Sequence, residues 1–141
     1  MDKKELFIKY MSEVTNVALA TGGEKTANVR AVSIGYDEKT PDMIYFVTFS
    51  ESNKAKEIKR NPHVTFIPFP DKSDTDVCIR VSGVAGPADI SVERMAELIG
   101  RHLPEFAAQI PAMGAQAGLY QVHCESAEVS LGMNPPEIIQ F

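Results

Sequence analysis

Cysteine is scarce in this chain: among 141 residues only Cys78 and Cys124 occur, and they form no CxxC. That excludes the paired-thiol spacing of zinc modules and points to a reduced pair. Both lie among apolar or β-forming residues, so both are expected as small core side chains. Positive charge is also short. Lys and Arg number 14 against 19 Asp and Glu, a net charge of −5. A general polyanion-binding surface is therefore excluded, since phosphate contacts need a basic face, although a small basic pocket is not. No apolar run approaches the length of a membrane span. The opening MDKKELFIKYMSEV is charged and has no apolar signal core. From these absences a cytoplasmic protein is expected. Internal repeats, low-complexity tracts and dividing linkers are missing too, so one domain over residues 1–141 is expected.

What is present is short alternating segments. Asp2 to about Val14 has a helical stripe of Leu6, Phe7, Tyr10, Met11 and Val14. Val17 to Thr21 is a short strand, and Gly22-Gly23-Glu24-Lys25 a turn. Ala27 to Tyr36 alternates, with Arg30, Val32 and Ile34 on one face and Val29, Ala31 and Ser33 on the other. Asp37 to Asp42 has turn composition, and Met43 to Phe49 is strongly β-prone. A short helix follows, with Ser50 and Ser52 as candidate caps and Asn61-Pro62 as its stop.

Val64 to Phe69 is a further strand, which Pro68 and Pro70 place at an edge or end early. Asp71 to Asp76 is a polar loop. Val77 to Ala85 alternates, Val77, Ile79 and Val81 opposing Cys78, Arg80 and Ser82, with Gly83 marking a bulge and Gly86 a turn. Ser91 caps a helix to about Leu103 with an apolar stripe of Val92, Met95, Leu98, Ile99 and His102. Ala107 to Gly118 is irregular. Leu119 to Leu131 is the last long strand, and Pro135-Pro136 precedes Glu137 to Phe141. Six short strands with hairpin-length connections and helices between hairpins predict a mainly β (α+β) antiparallel barrel rather than a doubly wound sheet.

Two stretches carry a family resemblance. One is Ala18-Leu19-Ala20-Thr21, a turn, then Asn28-Val29-Arg30-Ala31-Val32-Ser33. The other is Ile44-Tyr45-Phe46-Val47-Thr48-Phe49-Ser50-Glu51-Ser52-Asn53-Lys54-Ala55, followed by Lys59-Arg60-Asn61-Pro62-His63-Val64. In this order, over most of the chain, they resemble the FMN-binding split barrels of the pyridoxamine 5′-phosphate oxidase-like group, in its general stress protein-like branch. The resemblance implies a six-stranded split barrel with Greek-key character, a homodimer, and FMN near the subunit interface. It places the cofactor against Arg30, Ala31, Val32 and Ser33 on one strand, Val47 and Thr48 on the next, and Ser52, Asn53 and Lys54 at the phosphate end. It also shows departures. Asn53 stands where the group often has Arg, Cys78 where it often has Gln, and the Arg/Trp-containing C-terminal segment that closes over pyridoxine phosphate is lacking, as is any Trp. Oxidation of that substrate is therefore not expected.

The residues fit a phosphate on their own chemistry. A helix N-terminus offers free N–H groups and partial positive charge. Ser52 adds a hydroxyl, Lys54 an ammonium and Arg30 a guanidinium fork. Each also has a plainer role: Arg30 as a solvated strand cation, Lys56 and Lys59 as a wet helix face, Ser52 as a cap and Thr48 as a β-former. The expectation is an FMN-dependent oxidoreductase, the flavin carrying the redox chemistry and no catalytic acid or base being required. Alternatives are a non-catalytic flavin-binding sensor or carrier, and the same barrel with F420 or haem. His63, His102 and His123 are scattered without metal-ligand spacing, so no metal site is expected. The far wall of the pocket is expected from the second subunit, with Ala107–Gly118 and Ile138–Phe141 as contributors.

Overall fold

Asp2 opens the computed structural model, which describes residues 2–23, 25–69 and 76–141. Its carboxylate accepts from the Glu5 amide at 2.8 Å and caps α1, Lys3–Glu13. Phe7 and Met11, one turn apart, are the buried residues of that helix. Strands β1 (Asn16–Gly22), β2 (Ala27–Ser33), β3 (Gly35–Tyr36) and β4 (Met43–Phe49) follow, then helix α2 (Asn53–Arg60), β5 (His63–Phe69) and β6 (Val77–Pro87). Helices α3 (Val92–Gly100) and α4 (Pro104–Gln109), a 3-10 segment (Pro111–Gln116), β7 (Ala117–Leu131) and β8 (Glu137–Gln140) complete the order.

The strands form one antiparallel sheet in the order β2-β1-β5-β6-β7-β4-β3, with β8 on β7. The two ends of that path, β2 and β3, are neighbours in the chain with only Ile34 between them. The sheet must therefore curl back on itself. Its hollow is filled by Phe7, Met11, Leu19, Val32, Ile44, Phe46, Phe66, Val81 and Val129 among others. A second core lies outside the sheet, where Tyr45 and Val47 meet Met95, Leu98 and Ile99 of α3 and Ala107 of α4. This explains why β4 reads as an unbroken apolar run. Ile44 and Phe46 face inward, Tyr45 and Val47 face the helices, and neither face is left to water. Each large side chain so buried contributes about 1.5–3 kcal/mol. Gly35 permits the close approach of α3, since a Cβ there would meet the Leu98 Cβ at 2.8 Å.

Mainly antiparallel β with a few helices is the expected class, but among the described residues the strands number eight rather than six. The run from Ala27 to Tyr36 is broken at Ile34, whose N–H donates to the Thr15 carbonyl at 3.0 Å, so β3 stands apart. The C-terminal segment is also a strand, Ala127 pairing with Ile139. Phe141 packs on Phe7 with ring centroids 5.2 Å apart, so the end of the chain completes its own core. Ala107–Gly118, expected to be irregular, is largely helical. Pro104 and Pro111 start α4 and the 3-10 segment, where a missing N–H costs no hydrogen bond.

Cys124 is buried, and burial pushes its thiol up to about 12. Cys78 is exposed, because strand parity puts it on the Arg80 and Ser82 side of β6. His102 falls beyond the end of α3, is exposed, and meets the Ser12 carbonyl at 2.9 Å. Ser52, not Ser50, caps α2. The bulge expected at Gly83 is present between Ser82 and Gly83, whereas Gly86 stays in the ladder opposite Gln121. Pro68 does not end β5: it pairs with Val17, while the ladder between β5 and β6 ends at Phe66 and Val81. Glu24 of the first turn, Pro70 and all of the polar loop but Asp76 lie outside the described residues.

Candidate functional site

Among the described residues β2 and β4 each leave a strand edge without a ladder partner. β2 pairs with β1 alone, so its alternate N–H and C=O groups point away from that ladder. β4 pairs with β7 along its length, but β3 covers only Ile44 and Tyr45 on the other side. Residues 46–49 are therefore open on that side. The two open edges belong to contacting strands. They meet at the Ile34 corner, where Gly35 pairs with Tyr45, and beyond it no ladder joins β2 to β4 among the described residues. The far end of the gap is where β4 runs into α2.

Ser52 shapes that end. Its hydroxyl accepts from the Ala55 amide at 3.1 Å and its carbonyl from the Lys56 amide at 3.1 Å. The hydroxyls of Thr48 and Ser52 are 3.1 Å apart. Lys54, in the first turn, donates to Thr48 Oγ1 at 3.3 Å, and its ammonium stands 5.9 Å from the centre of the Phe46 ring. Among the described residues Lys54 has no carboxylate at ion-pair distance. Burial holds its pKa below the usual lysine value, with Arg30 adding repulsion of like charge. A half-buried, carboxylate-free ammonium at a helix start is the donor set that a phosphate requires.

Arg30 is already engaged. Its Nη1 donates to Thr21 Oγ1 at 2.8 Å, and its Nη2 lies 3.5 Å from Glu57 Oε2. Glu57 also accepts from the Thr21 hydroxyl and, at 2.6 Å, from Asn28 Nδ2. These bonds, the one from Thr21 foremost, hold its carboxyl below the usual range. Glu57, Thr21 and Asn28 were not among the candidates in the sequence. The one local signal is that Glu57 falls three residues after Lys54, on the same helix face.

The other candidates divide by where their side chains go. Val32 is buried in the sheet interior and Val47 under α3, so each offers only backbone to the gap. Ala31 is exposed, and parity puts it on the outer sheet face with Val29. Ser33 donates to Asn16 Oδ1 at 3.0 Å. Asn53 is exposed and borders an open polar groove of ≈ 340 Å³, with Lys25, Asn28, Lys56, Glu57 and Arg60 around it. Of the candidates, Thr48, Ser52 and Lys54 are joined by hydrogen bonds at the start of α2, and Arg30 stands within electrostatic reach of Lys54. Ala107–Gly118, once expected to reach a partner's pocket, partly serves this chain, with Ala107 and Ile110 buried against Met95 and Leu98.

Several solved structures share this fold. General stress protein 26 from Bacillus anthracis str. Sterne superposes with a TM-score of 0.70 at 16% identity, covering 100% of both chains. A protein related to general stress protein 26 from Clostridium acetobutylicum gives 0.74 at 10%, over 99% of this chain and 97% of the other. HutZ, the haem storage protein from Vibrio cholerae, gives 0.72 at 14%, over 94% and 99%. No curated protein matches by sequence. The family model described as pyridoxamine 5′-phosphate oxidase-like matches residues 10–135, nearly the whole chain. The protein therefore belongs to the pyridoxamine 5′-phosphate oxidase-like family.

Proposed function

We propose that the chain binds FMN in the gap between β2 and β4 and serves as a flavin-dependent oxidoreductase. The observation that carries the proposal is Lys54: a half-buried ammonium in the first turn of α2, without a carboxylate partner among the described residues, beside the Thr48 and Ser52 hydroxyls. A phosphate there meets the ammonium, two hydroxyls and the free amides of Asn53 and Lys54. Hydrogen bonds to charged groups contribute about 1.5–3 kcal/mol each. The open edges of β2 and β4 offer N–H and C=O groups to the polar rim of a flat ring. Bound flavin supplies the hydride or electron transfer. The chain's part is to hold the phosphate, align the ring along the two edges and leave one face open to a substrate.

The homodimer belongs to the same proposal. On the outer face of β2, β1 and β5, directly opposed residues form the rows Ala31–Ala18–Ile67, Val29–Ala20–Thr65 and Ser33–Asn16–Phe69. No residue in these rows is charged, and Val29, Ile67 and Phe69 are 68%, 47% and 46% exposed. This face adjoins the open edge of β2, so a second copy seated on it walls the gap.

Haem, which one structural relative is described as storing, is less well supported. Haem iron needs an axial ligand such as His, Cys, Met or Tyr. The candidate side chains Arg30, Thr48, Ser52 and Lys54 include none.

The test is an FMN titration of the purified protein, followed by its absorption spectrum. A yellow protein that takes up one FMN per chain and is bleached by a reductant is expected. A protein that stays colourless with excess FMN overturns the reading. NAD(P)H oxidation well above that of free flavin then marks an enzyme, and its absence a flavin carrier.

A further inference from the structure

Glu57 stands on the same helix face as Lys54 and holds Arg30 from the side. Its side chain is only 13% exposed, and its carboxylate takes three donors: Thr21 Oγ1, Asn28 Nδ2 and Arg30 Nη2. The cluster thus contains two cations, Lys54 and Arg30, and one anion of its own. We propose that Glu57 restrains the site's grip on an anionic tail by occupying one side of the Arg30 guanidinium and neutralising its charge. The inference rests on the flavin-phosphate reading given above.

Arg30 has five N–H donors in a fixed fork. Nη1 is given to Thr21 and Nη2 faces Glu57, so a phosphate must take the remaining donors or draw Arg30 away from the carboxylate. Replacing Glu57 by Gln keeps the side-chain length and an oxygen acceptor for Thr21, removes the charge, and turns the oxygen that faces Asn28 Nδ2 into an NH2 donor. Affinity for a phosphate-bearing flavin then rises. Affinity for riboflavin, which lacks the phosphate, does not.

The experiment measures FMN and riboflavin dissociation constants for the native protein, Glu57→Gln, Arg30→Met and the double variant. The expected result is FMN binding tightened about three- to tenfold in Glu57→Gln, the scale of freeing one partly solvated guanidinium from its carboxylate. Riboflavin binding is unchanged, and the gain disappears when Arg30 is Met. Glu57→Met, neutral and of similar length, gives the same sign and serves if Glu57→Gln folds poorly. Native-like FMN affinity in both neutral variants, or equal tightening of FMN and riboflavin, overturns this inference and leaves FMN binding standing. Failure of every protein, the native one included, to bind FMN removes both readings.

Discussion

The Lys54 ammonium donates to the Thr48 hydroxyl at 3.3 Å, and this bond ties the first turn of α2 to the end of β4 across Ser50 and Glu51. Phosphate affinity is therefore concentrated on one side chain. Lys54→Met is expected to weaken FMN binding by about 10- to 100-fold, the loss of one charged hydrogen bond and its Coulomb attraction. Riboflavin affinity is expected to change little. Flavin fluorescence quenching over a titration checks both.

Acid stability is expected to depend on Glu57. Its folded pKa is lowered, so its contribution is fully present above the unfolded carboxylate pKa of about 4.3 and is lost as pH falls through the lower folded value. Asp37 acts in the same window. Its carboxyl is held low first by the Lys39 amide and then by Arg94, whose Nη2 lies 2.6 Å from it. Thermal midpoints between pH 7 and pH 3 are expected to fall most steeply below about pH 4.3. The fall is expected to be shallower in Glu57→Gln.

Charge on the outer face of β2, β1 and β5 is expected to block self-association. Ala18 and Ile67 are directly opposed on adjacent strands. Placing Glu at both puts two like charges in the centre of an apolar row. Light scattering is expected to report a dimer for the native chain and a monomer for Ala18→Glu/Ile67→Glu, with weaker FMN binding in the monomer. A native monomer removes the interface.

Gly83 is expected to be intolerant of a side chain. A Cβ there would lie 2.5 Å from the His123 carbonyl oxygen and 2.8 Å from Val122 Cγ1. The backbone oxygen cannot turn aside as a flexible side chain can. Gly83→Ala is expected to cost about 1–3 kcal/mol, the range for overpacking a tight interior, read from the denaturant midpoint.

Much of this fold was legible locally. The Ser52 and Ser91 caps, the Gly83 bulge and the alternation of β6 are short-range signals, and each is where the sequence put it. Strand parity also held the answer for Cys78, which shares its face with Arg80, although its apolar neighbours pointed inward. What could not be read was long-range. The Glu57 carboxylate meets Thr21 and Asn28 across 36 and 29 residues, and no local pattern encodes that meeting. The same holds for β8, whose pairing with β7 depends on a chain reversal between Leu131 and Glu137.

The Ile34 corner has a mechanical consequence. One residue joins β2 to β3, and its amide is pinned to Thr15. The corner therefore fastens the two ends of the sheet twice, once through the covalent chain and once through the Ile34–Thr15 bond, and β2 and β3 cannot part there without losing that bond.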